Sequence, residues 1–201
     1  MSEQLDRFLK SYWDYYLDLE EQLLETRRFV AFDKKNKSSF SVEYLKLYQA
    51  VCSEIDVVGK EMAVSVNTKF KPEKSNIQKW GYEIQQKYPH LKDDLVKFND
   101  SEIIQPFKDW EYEVSISKSG AHNLRIRDGK NPIKWWRDYN KVKHNRTGLV
   151  EGTNNFELAN QQNLIAAFSA LFLLETIHIQ SIDSDAKYQK SKLFKREEGT
   201  T

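Results

Sequence analysis

Arg137 and His144 stand seven residues apart in the stretch Trp135-Trp136-Arg137-Asp138-Tyr139-Asn140-Lys141-Val142-Lys143-His144. On a helix that spacing is nearly two turns, so both side chains project from one face, about 10 Å apart along the axis. Asn140 and Lys141 share that side. The face therefore combines a guanidinium, an amide, an ammonium and an imidazole. A guanidinium can grip a phosphate with two parallel hydrogen bonds. An imidazole can move a proton near neutral pH. Cleavage of a phosphodiester by its own neighbouring 2′-hydroxyl needs both, charge stabilisation and proton transfer, and needs no metal. The plainer reading is a solvated basic helix face, because one Arg and one His meet at this spacing often by chance. Trp135 and Trp136 read as core anchors, and Tyr139 as a packed ring with an outward hydroxyl.

The surrounding charge favours an anionic partner. From Lys118 to Arg146 nine basic residues face only Asp128 and Asp138, a local excess of +7 on a chain whose net charge is +1. Such a segment is a candidate anion or nucleic-acid surface, and its plain alternative is a solvated loop. Lys141, Lys143 and Arg146 would supply backbone contacts. Glu54, in the polar interruption Ser53-Glu54-Ile55-Asp56 of an apolar stretch, could pair with Arg137 or orient His144 if its helix packs alongside. Asp56 is expected to be exposed.

The remaining residues exclude several chemistries. Cys52 is the only cysteine, which rules out an internal disulfide and a cysteine-based zinc site. Set among Val51, Ile55 and Val58, it reads as an inert buried thiol. His90, His122 and His178 lack partners at metal-ligand spacing. His178 falls near a helix C-terminus, where a cation would suit the dipole. There is no glycine-rich phosphate loop, nucleophile elbow or Walker-type lysine. No metal or cofactor is expected.

These residues need elements to hold them. The 201-residue length suits one domain, and a 39% hydrophobic, 30% charged composition is that of a folded chain. Leu5, Phe8, Leu9, Tyr12, Trp13, Tyr16, Leu19, Leu23 and Leu24 predict a helix from Ser2 to about Phe32. Asp33 to Ser39 reads as a loop. Ser41 then caps a second long helix, with Phe40 placed to staple onto Leu45, and Gly59 inside it would let a neighbour approach closely. A third helix is expected from Asn76 to about Lys87, ended by Pro89, with a short helical stretch from Leu91 to Phe98. Tyr112, Val114 and Ile116, and then Leu124 and Ile126, alternate with polar residues around Ser119-Gly120. This predicts a β-hairpin or extended insertion near residues 110–128. Asn131-Pro132 starts the helix that carries Arg137 and ends by Gly148. Asn154 and Glu157 form a capping box for a last, central helix. The expected fold is mainly all-α, a bundle of four to five helices in a single domain over residues 1–186, with an insertion near 102–130 and a disordered tail at 187–201.

No signal peptide is evident at Met1-Ser2-Glu3-Gln4, and the apolar run Leu164 to Leu174 is too short to span a bilayer. A cytoplasmic location without membrane association follows.

The stretch from Trp135 to His144 resembles the signature of the HEPN superfamily (higher eukaryotes and prokaryotes nucleotide-binding domains). That signature is an Arg, usually followed at once by Asn, Asp or His, then a His after four to six intervening residues. Here Asp138 follows Arg137, and six residues separate Arg137 from His144. The resemblance implies a late helix of an all-α bundle and a homodimer in which the Arg and His of two protomers meet. It also implies metal-independent ribonuclease chemistry of a prokaryotic toxin–antitoxin or defence system. Arg137 would hold the scissile phosphate, His144 would serve as general acid or base, and Asp138 and Asn140 would position the groups. RNA, a second copy and an antitoxin or other protein are the implied partners. Some members bind without cleaving, so an RNA-, nucleotide- or protein-binding module is the second expectation. A purely structural protein is the third.

Overall fold

The computed structural model describes residues 2–116, 122–126, 133–150 and 152–197. Its helices are α1 (Glu3–Phe8), α2 (Asp14–Thr26), α3 (Val42–Val66), α4 (Ile77–Lys87), α5 (Lys134–His144) and α6 (Gln161–Ile182). Its strands are β1 (Leu95–Phe98), β2 (Glu102–Ile104), β3 (Tyr112–Ile116), β4 (His122–Ile126), β5 (Leu149–Val150), β6 (Thr153–Asn154) and β7 (Phe194–Glu197). The protein is mainly helical with a small antiparallel sheet.

α1 and α2 are joined by a π-helical turn, Leu9–Trp13. Phe8 and Trp13 are both buried and lie five residues apart, one more than an α-turn allows. The wider turn re-phases the helix so that Leu5 and Phe8 before it, and Trp13, Tyr16 and Leu23 after it, all reach the core. The helix stops at Thr26, short of Phe32. Tight turns closed by Arg27, Arg28 and Phe29 replace the helical ladder, and Phe29 lies in solvent.

α3 starts where expected, with the Ser41 hydroxyl accepting from the Tyr44 amide at 3.0 Å. The Phe40 ring meets Phe156 edge-on, and its backbone bridges Asn160. A Cβ on Gly59 would sit 2.7 Å from the Trp80 ring, so this glycine is what lets α4 lie against α3. Asn76 caps α4, which ends at Lys87 ahead of Tyr88-Pro89.

α6 is the central helix. From Leu164 to Ile179 it is buried almost all round, against α1, α2, α3 and α5. It is also the one helix among the described residues long and apolar enough to cross a membrane, and 78% of its apolar window is buried inside the protein. Its cap is Asn160, whose side chain accepts from the Asn163 amide at 3.0 Å. The Asn154–Glu157 capping box is present but starts a separate 3-10 turn, Asn155–Leu158.

Two segments differ from the sequence expectation in kind. Leu91 to Phe98 is a 3-10 turn (Pro89–Lys92) followed by strand β1. Residues 187–197 are not a frayed tail: β7 pairs antiparallel with β1, Phe98 opposite Phe194, in the order β2-β1-β7. The buried Glu20 carboxylate secures this segment. It accepts from the Tyr16 hydroxyl, the Ser191 hydroxyl and the amides of Lys192 and Leu193. Phe194 then stacks on Phe168.

β3 and β4 form the expected hairpin, Tyr112 opposite Ile126 and Ile116 opposite His122. Its Ser119-Gly120 turn lies outside the described residues, as do Asn131 and Pro132.

Candidate functional site

α5 is held by its inner face. Trp135, Tyr139 and Val142 recur at helical spacing and are buried, and Trp136 packs beside them. The Trp135 indole donates to the Pro106 carbonyl at 2.9 Å, and the Tyr48 hydroxyl of α3 donates to the Trp135 carbonyl. Both tryptophans are thus core anchors. Tyr139 meets Trp136 and Tyr48 ring to ring, and burial pushes its hydroxyl up to about 12. The helix opens at Ile133, which offers no side-chain cap. It closes at Asn145, whose carbonyl accepts from the Asn155 amide group at 2.6 Å. A Cβ on Gly148 would fall 2.4 Å from the Asn145 side chain and 2.8 Å from that of Asn155, so a larger residue would have to displace these amides.

That packing leaves Arg137 and His144 exposed on the outer face of α5. Their seven-residue separation on a regular helix puts them on one side, about 10 Å apart along the axis. Lys141 is half-buried on the same side, with its ammonium 3.3 Å from Asp138. Asn140 borders this face and donates back to the Trp136 carbonyl at 3.0 Å. Lys143 and Arg146 are exposed, and the Lys143 ammonium lies 5.6 Å from the centre of the Tyr139 ring.

Asp138 points away from this face. It is 4% exposed and reaches α6, where its carboxylate accepts from Asn163 at 3.1 Å. Lys134 and Lys141 donate to it at 2.5 and 3.3 Å. Burial opposes its charge, but the Lys134, Asn163 and Lys141 contacts outweigh that and hold the carboxyl below its usual range. Asp138 therefore positions the helix that carries Arg137 and His144, and does so from behind.

Glu54 is not brought to the Arg137 face. Its electrostatic neighbours are Tyr12, Tyr15 and Glu175, and burial raises its carboxyl. Asp56 lies about 200° further round α3 and takes the α5 side instead. It accepts from Lys60 at 2.5 Å and from the Trp80 indole at 3.0 Å. Spacing alone could not order these two acids, because the facing of α3 is set by Gly59 and Trp80.

Two buried groups of α6 differ from the sequence reading, Glu175 because it has no signal there and His178 because it is no exposed cation. Glu175 of α6 is fully buried, and neither carboxylate oxygen has a hydrogen-bond partner. Burial, with the nearby Glu54 charge, pushes it well above the usual carboxylate range, so it sits in the fold as a neutral acid. His178, one turn on, packs edge-on against Phe8. Burial, helped by Lys87, lowers it to about 4, so it is a neutral core side chain and no cation at the helix end. Cys52 is buried, and burial raises its thiol.

Among the described residues no group of three or more His, Cys, Asp or Glu side chains could hold a metal ion. The outer face of α5 brings together Arg137, Lys141 and His144, a guanidinium and an ammonium for an anion and an imidazole for a proton. Compared with known protein families, curated proteins and solved structures, the chain matches none.

Proposed function

We propose that this protein is a HEPN-like, metal-independent endoribonuclease that works in the cytoplasm as a homodimer, in a prokaryotic defence or toxin-type system. The observation that carries the reading is the exposure of Arg137 and His144 on one face of a helix whose opposite face is locked into the core. Arg137 binds the scissile phosphate and stabilises charge on its oxygens. His144 exchanges protons with the ribose 2′-hydroxyl or the departing 5′-oxygen. Attack of the 2′-oxygen on phosphorus breaks the bond to the 5′-oxygen and leaves a cyclic phosphate. One imidazole cannot serve both oxygens at once, and a second copy supplies another. Lys141, Lys143 and Arg146 contact the backbone.

The test is incubation with RNA, and with DNA of the same sequence, in EDTA. Cleavage of the RNA alone, lost in His144→Ala, is expected. Equal products from both proteins, or from neither, overturn the catalytic reading.

A second reading is a non-catalytic module that docks RNA, a nucleotide or a protein partner such as an antitoxin. It is favoured by the openness of the Arg137–His144 face to solvent within one chain. It predicts salt-sensitive RNA binding without product.

A further inference from the structure

α5 presents a second polar face, a quarter-turn or so from Arg137. Trp136, Tyr139, Asn140 and Lys143 line a cleft of about 460 Å³. α3 closes it from one side with Cys52, Ser53 and Asp56, and the start of α4 closes it from the other with Asn76, Ile77 and Gln78. That volume lies within the range of roughly 300–1,000 Å³ typical of small-ligand clefts.

The lining is specific in its chemistry. Asp56 is already engaged by Lys60 and the Trp80 indole, so it is not a free anion. The Asn140 amide group donates to the Trp136 carbonyl and leaves its oxygen to accept. The Asn76 oxygen caps α4 and leaves its NH2 to donate. Gln78 and Ser53 are exposed at the walls and add a second amide and a hydroxyl. The packed edges of Trp136 and Ile77, with the Cys52 side chain, give an apolar floor. Lys143 contributes a cation next to His144 in sequence. A flat, uncharged ligand with donors and acceptors on its rim fits such walls, and an attached anion fits Lys143. A lipid tail would leave the amides unpaired. A divalent cation would find one occupied carboxylate.

We propose that this cleft binds one nucleotide of single-stranded RNA, its base among Asn76, Gln78 and Asn140 and its phosphate at Lys143, beside the phosphate that Arg137 holds. The cleft thereby selects which base flanks the cut. This inference rests on the ribonuclease reading for its role in selection, while binding itself is measured independently of cleavage.

The experiment uses the full chain with His144→Ala, so that RNA survives. It is titrated with each ribonucleoside 5′-monophosphate, with ribose 5-phosphate and with inorganic phosphate, followed by calorimetry. At least one nucleotide is expected to bind roughly tenfold or more tighter than either phosphate compound, a ratio that one or two base-edge hydrogen bonds supply. Gln78→Ala should remove most of that advantage. Ser53→Trp, which fills the cleft from an exposed helical position, should abolish it, with an unchanged unfolding midpoint in both variants. Nucleotides that bind no better than ribose 5-phosphate, or that bind Ser53→Trp as well as the parent, overturn the proposal. If that happens while RNA is still cut by the wild type, the Arg137–His144 reading stands alone. If nucleotides bind the cleft and no RNA is cut, the cleft stands and the catalytic reading falls.

Discussion

Two carboxylates are buried at different levels of α6, and the fold treats them in opposite ways. Asp138, behind the candidate site, accepts from Asn163, Lys134 and Lys141 and is held ionised. Glu175, deeper and against the N-terminal helices, has no hydrogen-bond partner for either oxygen and is held neutral. Burial penalises both charges, and what differs is the supply of donors and the sign of the neighbouring charge. The acid with donors lies where a helix must be fixed in rotation so that Arg137 and His144 point outward. The acid without them lies where the packing is aromatic and the charge acting on it, that of Glu54, has the same sign. Donors are thus supplied where an element must be fixed, at Asp138 for α5 and at Glu20 for the segment leading into β7.

Removing the satisfied acid should have the larger effect. Asp138→Ala takes one of two acceptors from the buried Asn163 amide group, which keeps the Leu158 carbonyl, and unlocks α5, at a cost of about 3 kcal/mol in urea unfolding. Asp138→Asn keeps the shape and one acceptor and should lose about half of that. A variant as stable as the wild type would mean that α5 is held by its tryptophans alone.

Glu175→Gln should move stability the other way. Its folded-state pKa lies above the unfolded value of 4.5, so the native protein binds the extra proton. The acid's contribution is complete below that value and is lost as pH rises towards the folded-state value, at up to about 1.4 kcal/mol per pH unit. Glu175→Gln, which cannot ionise, should gain on the wild type as pH rises above 4.5. Asp138 has the opposite sign. Its folded-state pKa lies below 3.8, so its contribution is present above that value and lost as pH falls through the lower one. Unfolding midpoints against pH for the two variants should therefore diverge from the wild type at opposite ends. Parallel curves would erase the distinction.

The smallest effect belongs to Lys134→Ala. This lysine is 62% exposed, so its pairing with Asp138 should contribute under about 1 kcal/mol to stability. A larger loss would make Lys134, and not Asn163, the main anchor of Asp138.

Local signals foretold the parts of the fold that local physics decides. Ser41 and Asn76 accept from backbone amides as caps do, and Tyr112 to Ile126 alternates as a hairpin should. The shared face of Arg137 and His144 follows from helical spacing alone. Signals with distant partners were read less well. β1 is four residues long, and its second neighbour, β7, arrives about a hundred residues later. The left-handed Asn99 and Asp100 were the available hint of the turn into β2. Asp138 reads as a catalytic neighbour because it follows Arg137, yet Asn163, twenty-five residues on, turns it into a strut. Spacing does not tell which of Glu54 and Asp56 faces α5, because the packing of Trp80 on Gly59 decides it.

Whether Arg137 and His144 act as a pair on one phosphodiester is decided by the rate of RNA cleavage in EDTA for wild type, Arg137→Ala, His144→Ala and the double variant, all with matching unfolding midpoints. Each single change should lower the rate by about 100-fold or more, and the double change should lower it little further, as groups serving one transition state do. Wild-type cleavage by His144→Ala, or losses that simply multiply in the double variant, would contradict the pairing.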